Sequence, residues 1–184
     1  ICIHDPLRRE ARDAVAALHA CGIGKVVMMT GDNRQTAQAV AREVGVDAVY
    51  AEVLPEDKAA FIRSEKAAGH TVIMVGDGVN DSPALSEADA GVAISTGAAI
   101  AREIADITIA SEDLSELVTQ RRLSQALMAR IHRNYRFIVA FNLSLILLGV
   151  AGLLPPTTSA LLHNMSTLGI SLKSMTDLQP DQPQ

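Results

Sequence analysis

Over roughly its first 110 residues the chain alternates short apolar runs with amphipathic stretches. Runs such as KVVMM at 25–29 and TVIMV at 71–75 are typical of buried strands, and the stretches between them carry apolar residues at helical spacing. Strands spaced by helices of this length predict βαβ units in a parallel sheet. The pattern predicts strands at 1–4, 25–29, 46–50, 71–75, 90–94 and 107–109, and helices at 7–20, 34–44, 55–68 and 82–88.

The pattern changes after Ser111. Asp113 is positioned to cap a long polar helix over 113–136, which connects to a charge-free segment at 137–154 and, after two prolines, to a second apolar segment at 157–173. A membrane span needs about 20 mainly apolar residues, or about 17 at the short end. The chain is therefore predicted to end in a transmembrane hairpin; for the more polar second segment, an interfacial or a buried soluble helix is the alternative.

The basic residues of this second half favour one orientation of the hairpin. Arginines precede 137–154, the turn between the segments has no Lys or Arg, and Lys173 follows the second segment. Since positive residues stay on the cytoplasmic side, both ends of the hairpin are expected in the cytosol of a multi-pass cell-membrane protein. The polar, Pro-containing tail at 174–184 is predicted to be disordered and cytosolic.

Composition narrows the class of protein. Hydrophobic residues make up 48% of the 184 residues but aromatics only 3%, so the core must be built from Ala, Val, Ile and Leu, as in parallel-sheet α/β proteins. The net charge of −5 argues against a nucleic-acid partner. Cys2 and Cys21 form no C-x-x-C and indicate no disulfide framework. The first residue is Ile, and we expect the chain to be a portion of a longer polypeptide.

The richest motif is GDGVNDSPAL at 76–85, which directly follows an apolar strand. Parallel sheets bind ligands at the carboxyl ends of their strands, where Asp77 is expected. Asp77, Asn80 and Asp81 together offer two carboxylates and an amide oxygen, the hard ligands that Mg²⁺ takes beside a phosphate and water. The alternative is a Gly-rich turn with an Asn/Asp helix cap.

Two further motifs occupy equivalent places in the predicted sheet. In TGDN at 30–33, the Thr30 hydroxyl and the N–H groups of Gly31 and Asp32 precede a helix and can cradle a phosphate. In PEDK at 55–58, Lys58 lies in the first turn of a helix, where the dipole gives a cation no benefit and a phosphate partner would explain it. The alternatives are a capped turn and a solvated surface lysine. Together the three loops predict a phosphoryl-transfer pocket without its nucleophile.

TGDN, the P-x-x-K helix and GDGVNDSPAL, in this order and spacing, resemble the P-type ATPases of the haloacid-dehalogenase superfamily. The resemblance covers about residues 1–175, and the final pair of spans is similar to the heavy-metal-transporting branch. It implies a Rossmann-like phosphorylation domain over 1–112, in which Asp77 and Asp81 serve Mg²⁺ and Asn80 orders the loop. It also implies that Thr30, Gly31 and Asp32 hold the phosphoryl group and that Lys58 offsets its charge.

The family's D-K-T-G-T nucleophile does not occur in this chain. Asp5 is rejected as a substitute because Pro6 follows it. The resemblance therefore implies the C-terminal portion of an ATP-driven transition-metal exporter, with the nucleophile and most of the ATP site in the remainder of the polypeptide, and the chain alone should be inactive. The alternatives are a membrane-tethered phosphatase of the same superfamily and a non-catalytic membrane interaction module.

Polar residues within the predicted spans suggest a site for the transported metal, since such residues are costly in a bilayer. Asn142 lies in the first span and matches a polar position of copper-transporting relatives. His163, Met165 and Ser166 lie in the second. Gly169 departs from the copper transporters' Met-Ser-x-x-Ser pattern, and the Lys and acid typical of zinc transporters are missing, so the metal stays open. The alternative role is helix–helix hydrogen bonding.

Overall fold

A computed structural model of the chain describes residues 7–77, 80–94, 103–111 and 113–178. It divides into two compact units, Ile1–Val118 and Thr119–Gln184. Several predictions lie outside the described residues: the strand at 1–4, Asp5 and Pro6, Gly78 and Val79 of the Gly-rich loop, and the end of the tail from 179.

The first unit has the predicted alternation of helices and strands. Helix α2 and strands β4 and β5 have the predicted bounds, whereas α1 begins at Ala11 rather than at residue 7. The other elements begin or end within two residues of prediction. The elements are α1 Ala11–Ala20, β1 Val27–Met29, α2 Arg34–Val44, β2 Ala48–Tyr50, α3 Pro55–Ala67, β3 Ile73–Gly76, α4 Ser82–Glu87, β4 Ala90–Ile94 and β5 Ile107–Ile109.

The strands are parallel, as predicted, but they form two ladders rather than one sheet. β1 pairs with β2, and β3, β4 and β5 pair in that order. β4, which has a neighbour on each side, is buried at its centre, whereas β1 and β3 are only half-buried. Strands of parallel sheets are normally buried on both faces. Within the described residues, β1 and β3 each therefore have one edge without a partner.

Small residues allow helix α4 to lie close to the second ladder. Ala84, Leu85 and Ala93 are almost fully buried. A Cβ atom added at Gly91 would lie 2.7 Å from the Leu85 carbonyl oxygen, so only glycine permits this approach. The contact holds the loop before α4 next to the end of β3.

This approach makes Gly91 a test of the packing. The Gly91→Ala substitution should lower the free energy of unfolding by about 1–3 kcal/mol, because the clash is with backbone that cannot rotate away. Urea unfolding of the chain followed by circular dichroism measures the change. Gly24→Ala is the matched control, since a Cβ there meets nothing within 4 Å and should change stability by less than about 0.5 kcal/mol. Equal effects would show that the α4–β4 approach is not tight.

The second unit is a pair of antiparallel helices. Helix α5 (Ser115–Val150) runs without interruption through the predicted connecting helix and into the first apolar segment, and α6 (Pro156–Ser174) follows a turn in which Gly152 has φ +73°. At the start of α5 the Asp113 carboxylate accepts a 2.8 Å hydrogen bond from the Ser115 N–H, so Asp113 caps the helix as predicted. That hydrogen bond holds the pKa of Asp113 below its ordinary value.

The predicted spans at 137–154 and 157–173 are not confirmed. Among the described residues, the structure contains no helix with the length and apolar character needed to cross a membrane. Helix α5 ends at Val150, and the portion after Arg136 extends about 21 Å at 1.5 Å per residue, against a hydrocarbon core of about 30 Å. Helix α6 carries His163, Asn164 and three hydroxyl residues within its apolar stretch.

Candidate functional site

The loop after β1 is fixed by hydrogen bonds to the segment that follows β2. Thr30 donates its N–H to the Tyr50 carbonyl at 3.0 Å and accepts from the Val53 N–H at 3.1 Å, which continues the β1–β2 pairing beyond both strands. A Cβ at Gly31 would meet its nearest atom, the Val53 carbonyl oxygen, at 3.9 Å, so this glycine is not required by crowding. The TGDN loop is thus held in place by its neighbour.

Side chains of this loop bond to one another. The Thr30 hydroxyl donates to Asp32 Oδ2 at 2.8 Å and accepts from the Asp32 N–H at 3.1 Å. Asn33 caps helix α2 by accepting from the Thr36 N–H at 3.0 Å. Asp32 is exposed and Thr30 is half-buried, so both side chains can exchange these internal hydrogen bonds for hydrogen bonds to a ligand.

Glu52 is a feature of the site that the sequence pattern does not mark. Its φ is +58°, a left-handed conformation that is uncommon for a residue with a side chain, and its N–H donates to the Asp32 carbonyl at 3.0 Å. This backbone conformation fixes the loop before helix α3 against the TGDN loop. No propensity rule predicts a glutamate at such a position.

Lys58 and Asp81 form a short, largely buried ion pair. Lys58 lies in the first turn of α3, which Pro55 begins, and its Nζ is 2.7 Å from Asp81 Oδ1. The Lys58 side chain is 15% exposed and that of Asp81 13%, so both charges are largely withdrawn from water. The predicted neighbourhood of PEDK and the Gly-rich motif is therefore confirmed by a direct ion pair.

Gly76 allows the end of β3 to lie against Asp81. A Cβ at Gly76 would be 2.6 Å from Asp81 Oδ2 and 2.9 Å from its Cβ. Asp77 comes directly after this strand, as predicted, and Asp81 precedes helix α4. Asn80 is exposed between them. The two aspartates and Lys58 thus gather at the carboxyl end of β3.

The structure brings the predicted residues together in two groups rather than one. Thr30, Gly31 and Asp32 lie at the end of β1, and Lys58, Asp77 and Asp81 at the end of β3. Within the described part of the chain, neither Thr30 nor Asp32 makes a hydrogen bond to Lys58 or Asp81. The connection between the groups is helix α3, which begins in the loop bonded to Thr30 and carries Lys58 to Asp81.

The donors at the end of β3 fit Mg²⁺ better than a softer metal. Over the described residues, no three His, Cys, Asp or Glu side chains are grouped to hold a metal ion. Mg²⁺ is commonly bound by one or two carboxylates with phosphate oxygens and water completing its shell. Asp77 and Asp81 can supply these carboxylates if Asp81 binds the ion through its second oxygen or if the Lys58–Asp81 ion pair opens.

In the helical unit, two predicted residues from different helices are in contact. His163 Nδ1 and Asn142 Oδ1 are 2.8 Å apart. The hydroxyls of Ser166 and Thr167 instead donate to the His163 carbonyl, at 2.8 and 3.0 Å. Met165 is 62% exposed. His163 and Asn142 are therefore neighbours across the two helices, whereas the Ser166 and Thr167 hydroxyls form hydrogen bonds to the backbone of their own helix.

The chain is similar to known proteins over most of its length. Residues 1–89 match the haloacid dehalogenase-like hydrolase family. The chain is 45% identical over 162 residues to copper-transporting ATPase 2 of Rhizobium meliloti (strain 1021), covering 88% of the chain and 19% of that protein. It is 41% identical over 175 residues to the manganese-exporting P-type ATPase of Mycobacterium bovis (strain ATCC BAA-935 / AF2122/97), covering 95% of the chain and 24% of that protein.

A solved structure extends the likeness over both units. The crystal structure of a zinc-transporting PIB-type ATPase in its E2.Pi state matches 94% of the chain with a TM-score of 0.86 and 31% identity, and the match covers 28% of that protein. The chain therefore spans about a fifth to a quarter of the curated relatives it matches. These likenesses, together with the motifs gathered at its strand ends, make the chain similar over both units to a portion of the heavy-metal-transporting P-type ATPases, and similar over residues 1–89 to haloacid dehalogenase-like hydrolases.

Proposed function

We propose that the polypeptide to which this chain belongs is an ATP-driven exporter of a transition-metal ion, and that the chain supplies its phosphoryl- and Mg²⁺-binding loops. The observation that carries the proposal is the Lys58–Asp81 ion pair at the end of β3. It holds a cation and a carboxylate in a largely water-excluded position, ready for a phosphoryl group that bears opposite charge to the lysine. The similarity to a copper-transporting ATPase and to a manganese-exporting P-type ATPase supports this class of cargo.

The two ladders support a place for the missing nucleophile. β1 and β3 each have a half-buried face and one unpartnered edge within the described residues. A parallel strand from the remainder of the polypeptide would satisfy both edges and would end between the Thr30 loop and Asp77. We propose that this strand carries the aspartate that is phosphorylated, so that this chain alone does not turn over ATP.

Each side chain then has a definite task. Thr30, Gly31 and Asp32 bind the phosphoryl oxygens through a hydroxyl and N–H groups, and Lys58 turns from Asp81 towards the transferred group. Asp77 and Asp81 would hold Mg²⁺, and Asn80 would order their loop. Mg²⁺ neutralises charge on the phosphoryl oxygens when bound. ATP itself would be bound mainly by the remainder of the polypeptide.

We also propose that the α5–α6 pair belongs to the membrane domain of that polypeptide. Many of its large apolar side chains are exposed: Val150 is 83% exposed, and on α6 no residue is buried, although Leu145 on α5 is. An exposed apolar area of this extent marks an interaction surface, which neighbouring helices and lipid would cover. The arginines before residue 137 and Lys173 favour cytosolic placement of both ends.

Metal-stimulated ATP hydrolysis by the complete polypeptide tests the proposal. Activity measured with Zn, Cu, Mn, Co and Cd should rise with at least one transition metal. The competing function, a membrane-tethered phosphatase, predicts hydrolysis of p-nitrophenyl phosphate by a short polypeptide with its own nucleophile, without stimulation by a transition metal. That second result would refute the proposed exporter function and support the phosphatase.

The contact between His163 and Asn142 supports a proposed cargo site shared by two helices. Imidazole suits Zn, Cu, Fe or Ni. The His163→Ala substitution should raise the metal concentration for half-maximal ATPase activity about tenfold or more, or change which metal activates, because it removes the imidazole ligand. Thr167→Ala is the control, since its hydroxyl bonds to backbone. Unchanged metal activation in His163→Ala would assign the pair to helix packing.

A further inference from the structure

The polar end of the helical hairpin holds a concentration of positive charge. Between residues 119 and 178 the sequence has five arginines and one lysine, and Asp177 is the one acidic residue in that range. The whole chain, in contrast, carries a net charge of −5. Three of these cations, Arg130, Arg133 and Lys173, line a small cavity of about 50 Å³ between the helices, which is partly open to solvent.

Arg130 is already engaged in closing the hairpin. Its guanidinium donates to the carbonyls of Ser174, Thr176 and Asp177 at 3.2, 2.5 and 2.9 Å, and so caps the last turn of α6. Asn134 adds a 2.9 Å hydrogen bond to the Ser174 hydroxyl. These hydrogen bonds hold the two helix ends against each other beside the cavity.

The other two cations have no counter-charge. Within the described residues, neither Arg133 nor Lys173 forms an ion pair, and both side chains are exposed at the cavity. A guanidinium and an ammonium converging from two helices match the oxygens of a phosphate group. The sequence continues from Arg136 directly into the apolar stretch of α5, and Tyr135, at 65% exposure, is a side-chain type enriched at membrane interfaces.

We propose that this cavity, lined by Arg130, Arg133, Asn134, Lys173 and Thr176, binds the phosphate group of an anionic lipid at the cytosolic surface of the membrane. The inference rests on the proposed membrane location of the hairpin. A basic pocket between helices on the cytosolic side suits a lipid headgroup, because the acyl chains can lie along the adjoining apolar surface. A free phosphate offers the same oxygens without the chains.

The test uses the full chain in a neutral detergent, titrated with phosphatidylglycerol and followed by native mass spectrometry. The R133Q/K173Q variant should bind the first lipid at least about tenfold more weakly, because two charge-assisted hydrogen bonds are lost. The R133K/K173R variant, which keeps both charges, should bind within about threefold of the unmodified chain. Circular dichroism checks that each variant keeps its helical content.

The charge-matched control is R122Q/R136Q, which removes two arginines that do not line the cavity. If the control loses as much affinity as R133Q/K173Q, lipid binding reflects overall positive charge and the proposed pocket is wrong. If inorganic phosphate competes as well as the lipid does, the cavity takes a free phosphate and the lipid assignment is wrong. If phosphatidylglycerol binds no better than phosphatidylcholine, the pocket is refuted.

A flotation assay with phosphatidylcholine vesicles separates this inference from the proposed function. If the chain floats with neutral vesicles but shows no preference for phosphatidylglycerol, the lipid pocket is refuted while the proposed membrane location stands. A chain that stays in the aqueous phase overturns the membrane location, and the lipid pocket with it.

Discussion

The Asp77→Asn substitution in the complete polypeptide is expected to lower metal-stimulated ATP turnover by a factor of roughly 10³. Asp77 follows the last residue of β3, at the strand end where parallel sheets bind ligands. The amide has nearly the size of the carboxylate but no negative charge, so it should weaken Mg²⁺ binding while leaving the loop folded. Turnover at saturating ATP, measured over a range of Mg²⁺ concentrations, gives the effect.

The control for this substitution is Asp13→Asn, at an exposed aspartate in the first turn of α1. It removes the same charge far along the chain from the Gly-rich loop and should leave turnover within about twofold, as surface substitutions generally do. Near-normal turnover in Asp77→Asn at every Mg²⁺ concentration would remove Asp77 from the Mg²⁺ site.

The Lys58→Met substitution is expected to act on both stability and activity. Without its partner, Asp81 is left 13% exposed with an uncompensated charge, which should lower the free energy of unfolding by about 1–3 kcal/mol. Turnover should fall by a factor of roughly 10² to 10³, because no ammonium faces the phosphoryl group. Urea unfolding and ATPase assays measure the two effects separately.

A double substitution separates the two roles of Lys58. In Lys58→Met with Asp81→Asn the stranded charge is gone, so stability should largely return. Because Asp81 is itself proposed to hold Mg²⁺, turnover is compared with that of Asp81→Asn alone, and it should be lower in the double variant. Lys25→Met is the matched control, since Lys25 is 48% exposed and forms a longer ion pair, at 3.7 Å to Glu65. If turnover returned together with stability, Lys58 would be structural only.

Local patterns were sufficient for most elements of the first unit. The bounds of α2, β4 and β5 follow from apolar runs and from caps such as Asn33. The split into two ladders could not be predicted, because pairing depends on strands distant in the chain or outside it. The two predicted spans are not confirmed, and the apolar composition of 137–154 does not show that helix α5 ends at Val150.

The sequence was enough to propose which residues form the candidate site, but not which of their side chains touch one another. Thr30, Lys58 and Asp77 were identified because each follows a strand or begins a helix. The Lys58–Asp81 pair joins residues of α3 and the loop before α4, and no spacing rule reaches between separate elements. The left-handed backbone of Glu52 results from tertiary hydrogen bonding and has no signal in the sequence.

We propose that the loops after β1 and β3, with Lys58, close on one phosphoryl group. A structure of the complete polypeptide with Mg²⁺ and beryllium fluoride, a mimic of an aspartyl phosphate, tests this arrangement. We expect fluoride within hydrogen-bond distance of Thr30 and Lys58, with Asp77 at the Mg²⁺ ion. Fluoride bound elsewhere, with Lys58 still paired to Asp81 and Thr30 remote from both, would contradict it.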